Sequence, residues 1–522
     1  MRVTAAVPDR STVVIVGAGP TGVTVATLLA QYGVDTLILD RWAQVYPQPR
    51  AVHMDDEIVR TFARLGVADQ IAAISRPALG LRLLDDSMNV LAEFTRDTGL
   101  SRNGFPQANM FDQPELEALL RSNLERYQSA ELRGDAEVID IENVADRVRV
   151  AYTDRVTGTE HAVDAEYVLG CDGANSLVRT RIGSCMDDLE FEQRWLVIDV
   201  ATSTDLHQWE GVHQVCDPVR AGTYMRIGAT RYRWEFRLLD GETSAEFDTL
   251  DKVRPLIEPW VRSAAAVDLH LVRVTEYTFR AQLAERWRRG RVFLLGDAAH
   301  LTPPFIGQGL GAGVRDAMNL AWKLAGVLRG TLGQDVLDTY EQERKPHARQ
   351  LIRLALGVGH AMTAGGDLGN LVRRVLLPQL HRLPGLNARV IDSRTPRLHR
   401  SRLVLKSRAP GNLAGTLCPN PEVAEGHRLD AKLGAGFAIV TTIAPGPEQQ
   451  TLIAQRGAAL HVAAPGSELA RWLHRGRATA AIVRPDRTVM KAGRDIGALC
   501  TVLPTFHCVA PTQPTGRMRP GR

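Results

Sequence analysis

Val13-Val14-Ile15-Val16-Gly17-Ala18-Gly19-Pro20-Thr21-Gly22 runs from a short apolar stretch straight into three glycines spaced G-x-G-x-x-G. Four consecutive β-branched residues suit a strand buried on both faces. Gly17 permits the tight turn out of that strand, Gly19 lets the backbone approach a pyrophosphate, and Gly22 lets the next helix pack closely on the sheet. The pattern predicts a helix over Pro20–Tyr32, with its free N–H groups and positive dipole end turned toward phosphate. A second strand is predicted over Thr36–Leu39. It ends at Asp40, 23 positions after Gly17, about where a ribose-binding carboxylate belongs. A strand before, a helix after and an acid at that distance mark a dinucleotide site rather than an ordinary Gly-rich turn. Its binding residues are Gly17, Ala18, Gly19, Pro20, Thr21, Gly22 and Asp40, with Arg41 beside them.

Further along, Pro47-Gln48-Pro49-Arg50-Ala51 reads as an extended loop leading into a helix over Asp55–Leu65, stopped by Gly66. Gln113-Pro114-Glu115 opens another helix, to about Tyr127. Residues 137–170 alternate as strands and run into Cys171-Asp172-Gly173-Ala174-Asn175-Ser176. From 190 to 285 short alternating runs such as Trp195–Val200 and Tyr232–Leu239 predict a mostly antiparallel sheet. A second apolar run, Val292–Leu295, then meets Gly296-Asp297-Ala298-Ala299-His300, so the β-rich region interrupts the first fold. Helices are predicted over Gly311–Arg329 and Asp335–Val358. The last hundred residues mix strands (Phe437–Thr442, Ala480–Val483) with helices (Glu448–Arg456, Ser467–Leu473). The division expected is a dinucleotide-binding unit over 11–190 and 286–360, an inserted β-rich substrate domain over 191–285, a linker over 361–411, a small α/β domain over 412–510 and a tail over 511–522.

A chain of 522 residues is too long for one core. A net charge of +4 requires neither nucleic acid nor an acidic membrane as partner. Leu371–Arg408 holds ten Lys or Arg against one acid, Asp392, which reads as a solvated linker. The six cysteines, Cys171, Cys185, Cys216, Cys418, Cys500 and Cys508, show no C-x-x-C and no metal spacing, so no metal is expected. With no 18-residue apolar run and no apolar leader, the expectation is a cytoplasmic protein with reduced thiols.

Three motifs in this order resemble the class A flavoprotein aromatic hydroxylases, the single-component group related to p-hydroxybenzoate hydroxylase. They are Gly17–Gly22; Cys171-Asp172-Gly173 with Ser176 and Arg179; and Gly296-Asp297-Ala298-Ala299-His300 with Pro304. Gly307-Gln308-Gly309-Leu310-Gly311-Ala312-Gly313 and Arg315–Leu324 strengthen the match, which spans about residues 12–350. Within that group the chain is most similar to the 3-(3-hydroxyphenyl)propionate/3-hydroxycinnamic acid hydroxylases. That likeness is carried by Arg50-Ala51 with Asp55-Asp56-Glu57, Cys216–Arg220, Trp234-Glu235-Phe236 before Gly241-Glu242, Asp338–Arg344 and Arg484-Pro485-Asp486-Arg487.

The resemblance implies an α/β protein: a Rossmann-like FAD-binding fold, an inserted antiparallel substrate sheet and a C-terminal thioredoxin-like domain lacking C-x-x-C. It implies bound FAD, NADH as transient co-substrate and O2. The implied reaction is ortho-hydroxylation of 3-(3-hydroxyphenyl)propanoate and 3-hydroxycinnamate through a flavin C4a-hydroperoxide, in aromatic catabolism. By the same resemblance Arg50 and Gln113 contact FAD beyond the first turn, Asp297 meets the ribityl or pyrophosphate region with Gly296 beside it, and Pro304, Gly309, Leu310 and Gly311 face the flavin ring. Asp172 either orients its turn or influences cofactor binding. Arg220 and Tyr224 are candidates for the substrate carboxylate or hydroxyl, although both residue types more often pair or pack. His300 is not assigned a catalytic role, and no residue is identified as the base favouring the phenolate. The chain departs from the group where many relatives carry Asn at Gly311, and where Asp40 replaces the commoner Glu. Another phenol, a polyketide or drug-like aromatic, remains open as substrate, as do a flavin oxidase or dehydrogenase without oxygen insertion and a flavin-binding sensor. NADH against NADPH and the oligomeric state, a homo-oligomer included, also stay open.

Overall fold

The computed structural model describes residues 10–46, 51–217, 219–262, 268–363, 395–407 and 411–508. Arg50 with its proline loop, most of the expected linker and the tail after 508 lie outside the described residues.

β1 (Arg10–Val16) pairs in parallel with β2 (Thr36–Leu39) and β11 (Glu160–Gly170), so Val14 lies between Leu37 and Val168. β2 continues to β8 (Ala130–Arg133) and β11 to β18 (Val292–Leu294), giving five parallel strands in the order β18-β11-β1-β2-β8. β17 (Arg288–Arg289) closes one edge antiparallel, and β9 (Ala136–Val144) and β10 (Arg147–Asp154) extend from β11. Val13, Val14 and Ile15 are wholly buried, as a parallel sheet covered on both faces requires. The two apolar runs quoted from the sequence thus flank one strand of the same sheet. That brings Gly17 and Gly296, nearly 280 residues apart, to the same carboxyl edge. Helix α1 (Pro20–Gln31) and helix α7 (Gly309–Leu328) are each buried over most of their length.

The second sheet runs β19 (His300–Leu301), β16 (His270–Ala284), β12 (Met186–Ala201), β15 (Arg231–Arg237), β14 (Gly222–Arg226), β13 (Val212–Val215), β5 (Gly80–Leu84), β6 (Val90–Thr95). It is antiparallel except where β13 meets β5. This corrects the expected division at 190/191. β5 and β6 come from the stretch assigned to the first unit, because a sheet edge recruits strands by hydrogen-bond pairing and not by sequence proximity. Alternation on β15 sends Tyr232, Trp234 and Phe236 to one face, where they join Val253, Ile257 and Trp260 of α6 (Leu250–Val261) in a separate core. Arg233 and Glu235 point to the other face.

A small sheet, β3 (His53–Asp55), β7 (Ala108–Phe111) and β4 (Ser75–Pro77), links the two layers. Helix α2 (Asp56–Leu65) follows β3 and starts where the Asp55 carboxylate accepts the Ile58 N–H at 3.0 Å. Helices α3 (Ala68–Ile74), α4 (Gln113–Leu124), α5 (Leu177–Arg181) and α8 (Asp338–Thr363) complete this part.

The C-terminal sheet orders its strands Ala459–Val462, Ala438–Thr441, Ala480–Val483, Val489–Gly493, the first pair parallel and the rest antiparallel. Helices Pro447–Gln455, Glu468–Arg475 and Ile496–Val502 accompany it. Phe437 and Phe506 pack edge-on against Trp322 of α7, so this unit shares a core with the first. The expectation of a solvated linker is corrected for its described part: Leu403 and Val404 are buried, and the Ser401 hydroxyl donates to Glu343 at 2.6 Å. No described helix is long and apolar enough to cross a membrane.

Candidate active site

At the end of β1 the backbone turns through Gly17 at φ +99°, where an added Cβ would overlap the Cys171 carbonyl oxygen. Gly22 is pressed as closely against the Gly17 carbonyl. Gly19 differs: nothing lies within 4 Å of where its Cβ would be. A crowded Gly17 and Gly22 around an open Gly19 is the arrangement a pyrophosphate needs, with Pro20 at the first turn of α1 and the helix N–H groups facing outward. Asp40 accepts the Ala18 N–H at 2.6 Å through one oxygen and the Trp42 N–H at 2.8 Å through the other. The shorter acid therefore braces the turn as well as facing it. Arg41 is exposed beside the Trp42 ring. Thr21 fills the space left by the missing side chains of Gly296 and Gly313, which seats α1 against α7.

The second motif is held from behind. Gly296 turns at φ +60°, and its N–H donates to Asp316 at 3.0 Å. The same carboxylate lies 2.7 Å from His300 Nε2 and accepts from Arg344 Nε at 2.8 Å. Burial alone would raise the Asp316 carboxyl, but His300 and Arg344 outweigh it and hold it below its ordinary value. His300 is thus a buried structural partner, in line with its having no assigned catalytic role.

Between the second motif and the free face of the substrate sheet lies a cavity of about 330 Å³. Asp297, Pro304, Gly307, Gly309 and Leu310 line one side. Trp195, Tyr277, Phe279 and Phe305 make an aromatic wall, with Trp195 6.3 Å from the Phe279 and Phe305 rings. Polar atoms enter from Arg96, His53, Gln214, Thr223 and Glu235. Burial first, then Arg96, lowers the His53 imidazole to about 4, so it is neutral near pH 7. Its Nε2 lies 3.5 Å from the Arg96 guanidinium, which can only donate, so Nδ1 carries the proton toward the Gly307 carbonyl at 3.4 Å. A larger cavity of about 460 Å³ lies by α2, α7 and the C-terminal unit, but its charges answer one another, as in Arg60 with Asp430 at 2.6 Å.

The structure separates the expected site residues. Gln113 accepts the Ala51 N–H at 2.6 Å and so fixes the chain next to Arg50. Asp172 accepts from Ser176 Oγ at 2.5 Å and from the Val178 N–H at 3.0 Å, and so orients its turn. Gly311 faces Arg315 rather than the cavity, and Arg315 bridges Asp55, Glu57 and Gln308. Two assignments are corrected. Arg220 is engaged with Glu242 at 2.5 and 2.9 Å, away from the cavity. Tyr224 is 2% exposed among His213, Trp234 and Trp260, because alternation turns it to the α6 face while its neighbours Thr223 and Met225 line the cavity. Sequence reading missed Arg96, His53, Glu235 and Asp316. The alternation on β15 held a signal for Glu235, but not which face it served.

These residues fit an FAD: an open phosphate turn, the start of α7 and an adjoining aromatic cavity lie along one edge. Gly19→Ala is expected to leave the melting temperature of the FAD-free protein within about 2 °C, because the added methyl meets nothing. The same methyl stands where the cofactor's phosphates pass, so FAD affinity should fall at least about tenfold in a flavin-fluorescence titration.

Comparison with known proteins agrees with this arrangement. A family model described as "FAD binding domain" matches residues 10–355. The chain is 33% identical to a 3-(3-hydroxy-phenyl)propionate/3-hydroxycinnamic acid hydroxylase of Burkholderia cenocepacia (strain HI2424), over 97% of this chain and 98% of that one. It is 34% identical to a "Probable NADH-specific resorcinol 4-hydroxylase" of Rhodococcus jostii (strain RHA1), over 93% of each. Among solved structures it is similar to aklavinone-11 hydroxylase in a ternary complex with FAD and aklavinone, with a TM-score of 0.77, 25% identity and coverage of 95% of this chain and 99% of that one. With its phosphate turn, its second flavin motif and the aromatic cavity beside it, the chain belongs to the FAD-binding-domain family and is an FAD-dependent aromatic hydroxylase.

Proposed function

We propose that the chain hydroxylates 3-(3-hydroxyphenyl)propanoate and 3-hydroxycinnamate ortho to the existing hydroxyl, using NADH and O2, as a step of aromatic catabolism. One observation carries the reading: the cavity beside the second motif joins an aromatic wall to the Arg96 guanidinium, while the second lining arginine, Arg280, is paired with Glu192 at 2.9 Å. A phenol ring packs on the wall, and a propanoate carboxylate is matched by the guanidinium. A cavity of about 330 Å³ stands at the low end of small-molecule sites, roughly 300–1,000 Å³, which favours one ring over a fused polyketide. Similarity to the Burkholderia hydroxylase supports the substrate, and the Rhodococcus relative's name supports NADH.

In this reading Gly17–Gly22 carry the pyrophosphate, Asp40 and Asp297 face the ribose and ribityl regions, and Pro304, Gly309 and Leu310 border the ring, with Arg50 and Gln113 alongside. FAD, when bound, would carry electrons from NADH to O2, and one atom of that O2 would enter the phenol while the other leaves as water. The protein's share is positioning and exclusion. Trp195, Tyr277, Phe279 and Phe305 hold the ring and keep water out. The first turn of α7, at residues 309–312, would offer its N–H groups to the negative charge that a bound flavin gains on reduction. The same reading takes the C-terminal unit as thioredoxin-like without a redox pair, and the protein as cytoplasmic.

A carboxylate-free phenol such as resorcinol is the second reading, favoured by the 34% identity to the Rhodococcus relative. Arg96→Met separates the two. It is expected to raise KM for 3-(3-hydroxyphenyl)propanoate roughly ten- to a hundredfold, the worth of a hydrogen bond between charged groups, and to leave resorcinol unchanged. The primary test is NADH oxidation by the FAD-loaded protein with each phenol, with product mass. A gain of one oxygen on the propanoate supports the proposal; turnover of resorcinol alone replaces it with the second reading. NADH use without any oxygen gain overturns both.

A further inference from the structure

We propose that Glu235 is the group that takes the proton from the substrate phenol. The assignment rests on the hydroxylation reading above. The residue lies on β15 with Thr223 of β14 on one side and Val197 of β12 on the other, facing the cavity. It is 8% exposed, and its carboxylate accepts no hydrogen bond from any described residue. Among the described residues other buried carboxylates are engaged: Asp199 binds Arg233 at 2.6 and 2.9 Å and Arg273 at 3.1 Å, Asp55 binds Arg315, and Asp316 binds Arg344, whereas Asp112, which does not line this cavity, also keeps one oxygen without a partner. A buried carboxylate that faces a cavity and accepts no hydrogen bond from a described residue can be satisfied by an O–H group bound in that cavity.

The surroundings suit a proton acceptor. Arg233 on the same strand, Asp199 on β12 and Arg273 on β16 form a buried group of net charge +1 next to Glu235. Their field permits the anion without a direct hydrogen bond satisfying it. Tyr277 and Arg280 on β16, the latter paired with Glu192 at 2.9 Å, and His53, Arg96 and Asp297 are the other titratable or charged groups among the described residues that line this space. Burial first raises the Glu235 carboxyl and Arg233 partly opposes it, so its basicity is moved toward that of a phenol. When the phenol binds, its O–H bond breaks, the proton forms an O–H bond on the carboxylate, and the electron pair stays on the phenolate oxygen. That pair delocalises to the ortho carbon, which makes the carbon the nucleophile for the incoming oxygen. After the new C–O bond forms, the ring proton passes to water and restores the aromatic ring, and the proton held on Glu235 returns to the original phenol oxygen, so that the catechol leaves neutral and the carboxylate is regenerated. Thr223 is held by Gln214 at 3.1 Å, which leaves Glu235 as the one carboxylate on this wall among the described lining residues besides Asp297 on the opposite side.

The test uses the full chain loaded with FAD, as wild type, Glu235→Gln and Glu235→Asp, with 3-(3-hydroxyphenyl)propanoate and resorcinol as probes. Three readouts are taken: the phenolate absorbance difference on binding, the anaerobic rate of flavin reduction by NADH, and the product formed per NADH consumed. Glu235→Gln is expected to bind FAD and phenol and to be reduced normally. It should lose the phenolate band, and hydroxylation should fall roughly a hundredfold or more, with H2O2 in its place. Glu235→Asp should recover part of the rate. The wild-type rate should fall as pH drops through the raised Glu235 value, and Glu235→Gln should lose that limb. Hydroxylation by Glu235→Gln within about threefold of wild type overturns the assignment while leaving the hydroxylation reading standing. Wild type that hydroxylates neither phenol overturns both.

Discussion

Replacing Asp316 by alanine is expected to lower the melting temperature by roughly 3–7 °C and to abolish tight FAD binding. The carboxylate is wholly buried and serves three partners at once, the Gly296 N–H, His300 and Arg344. Its removal leaves the Arg344 guanidinium inside the protein without a counter-ion, a loss of about 3–5 kcal/mol. It also releases the Gly296 turn, whose N–H then has no acceptor in the interior. The two effects can be told apart. A thermal melt of the FAD-free protein reads the ion pair, and a flavin titration reads the turn. Asp316→Asn keeps an acceptor but not the charge, so it should fall between wild type and alanine in both. An alanine variant that melts within about 2 °C of wild type would show that the buried charges compensate without Asp316.

Replacing Arg484 by alanine should be nearly as costly, and its effect should centre on the C-terminal unit. Arg484 is wholly buried and donates to both Glu343 oxygens at 3.0 and 2.9 Å, to Asp486, and to the Leu403 carbonyl at 3.3 Å. Glu343 on α8 also receives Lys323 at 2.9 Å and Asn319 at 2.8 Å from α7, and Ser401 at 2.6 Å. One guanidinium therefore ties α7, α8, the 401–404 segment and the last sheet together. Alanine leaves Asp486 without its main partner, again about 3–5 kcal/mol, and limited proteolysis should release the C-terminal unit sooner. The network also has a pH signature. Burial raises the Glu343 carboxyl, but Arg484 and Lys323 outweigh it and bring it to about 2. A carboxylate depressed in the folded state contributes stability above the ordinary carboxylate range. That contribution is lost as pH falls from that range toward about 2. Acid unfolding of wild type should steepen over that interval, and Glu343→Gln should flatten it.

Local chemistry made the phosphate turn legible in the sequence. Gly17, Gly19 and Gly22, the strand before them and Asp40 after them are close in the chain, and their spacing follows from one strand–turn–helix unit. The helix starting near Gly309 and the strands Ala438–Thr441 and Ala480–Val483 could be read for the same reason, because periodicity and turn residues act over a few positions. Resemblance supplied the second motif and the flavin. What neither supplied was the face on which each side chain stands. Tyr224 and Thr223 are neighbours in sequence, yet one packs under α6 and the other lines the cavity. A shift of one residue exchanges the faces of a strand, and only the pairing of β14 between β13 and β15 fixes that parity. Arg220 was similarly read without its partner, Glu242, which lies 22 positions on.

By itself, then, the sequence determined that a strand, a Gly-rich turn and a helix would cradle phosphates, that a β-rich segment interrupts that unit, and that a small α/β unit ends the chain. Only the tertiary structure decided that β5 and β6 join the substrate sheet, that Asp316 locks the second motif from behind, and that Arg96 and Glu235 share one cavity. The physical reason is range. Turn geometry and hydrophobic period are set within a dozen residues, whereas ion pairs, sheet edges and cavity walls depend on which distant segments the folded core brings into contact.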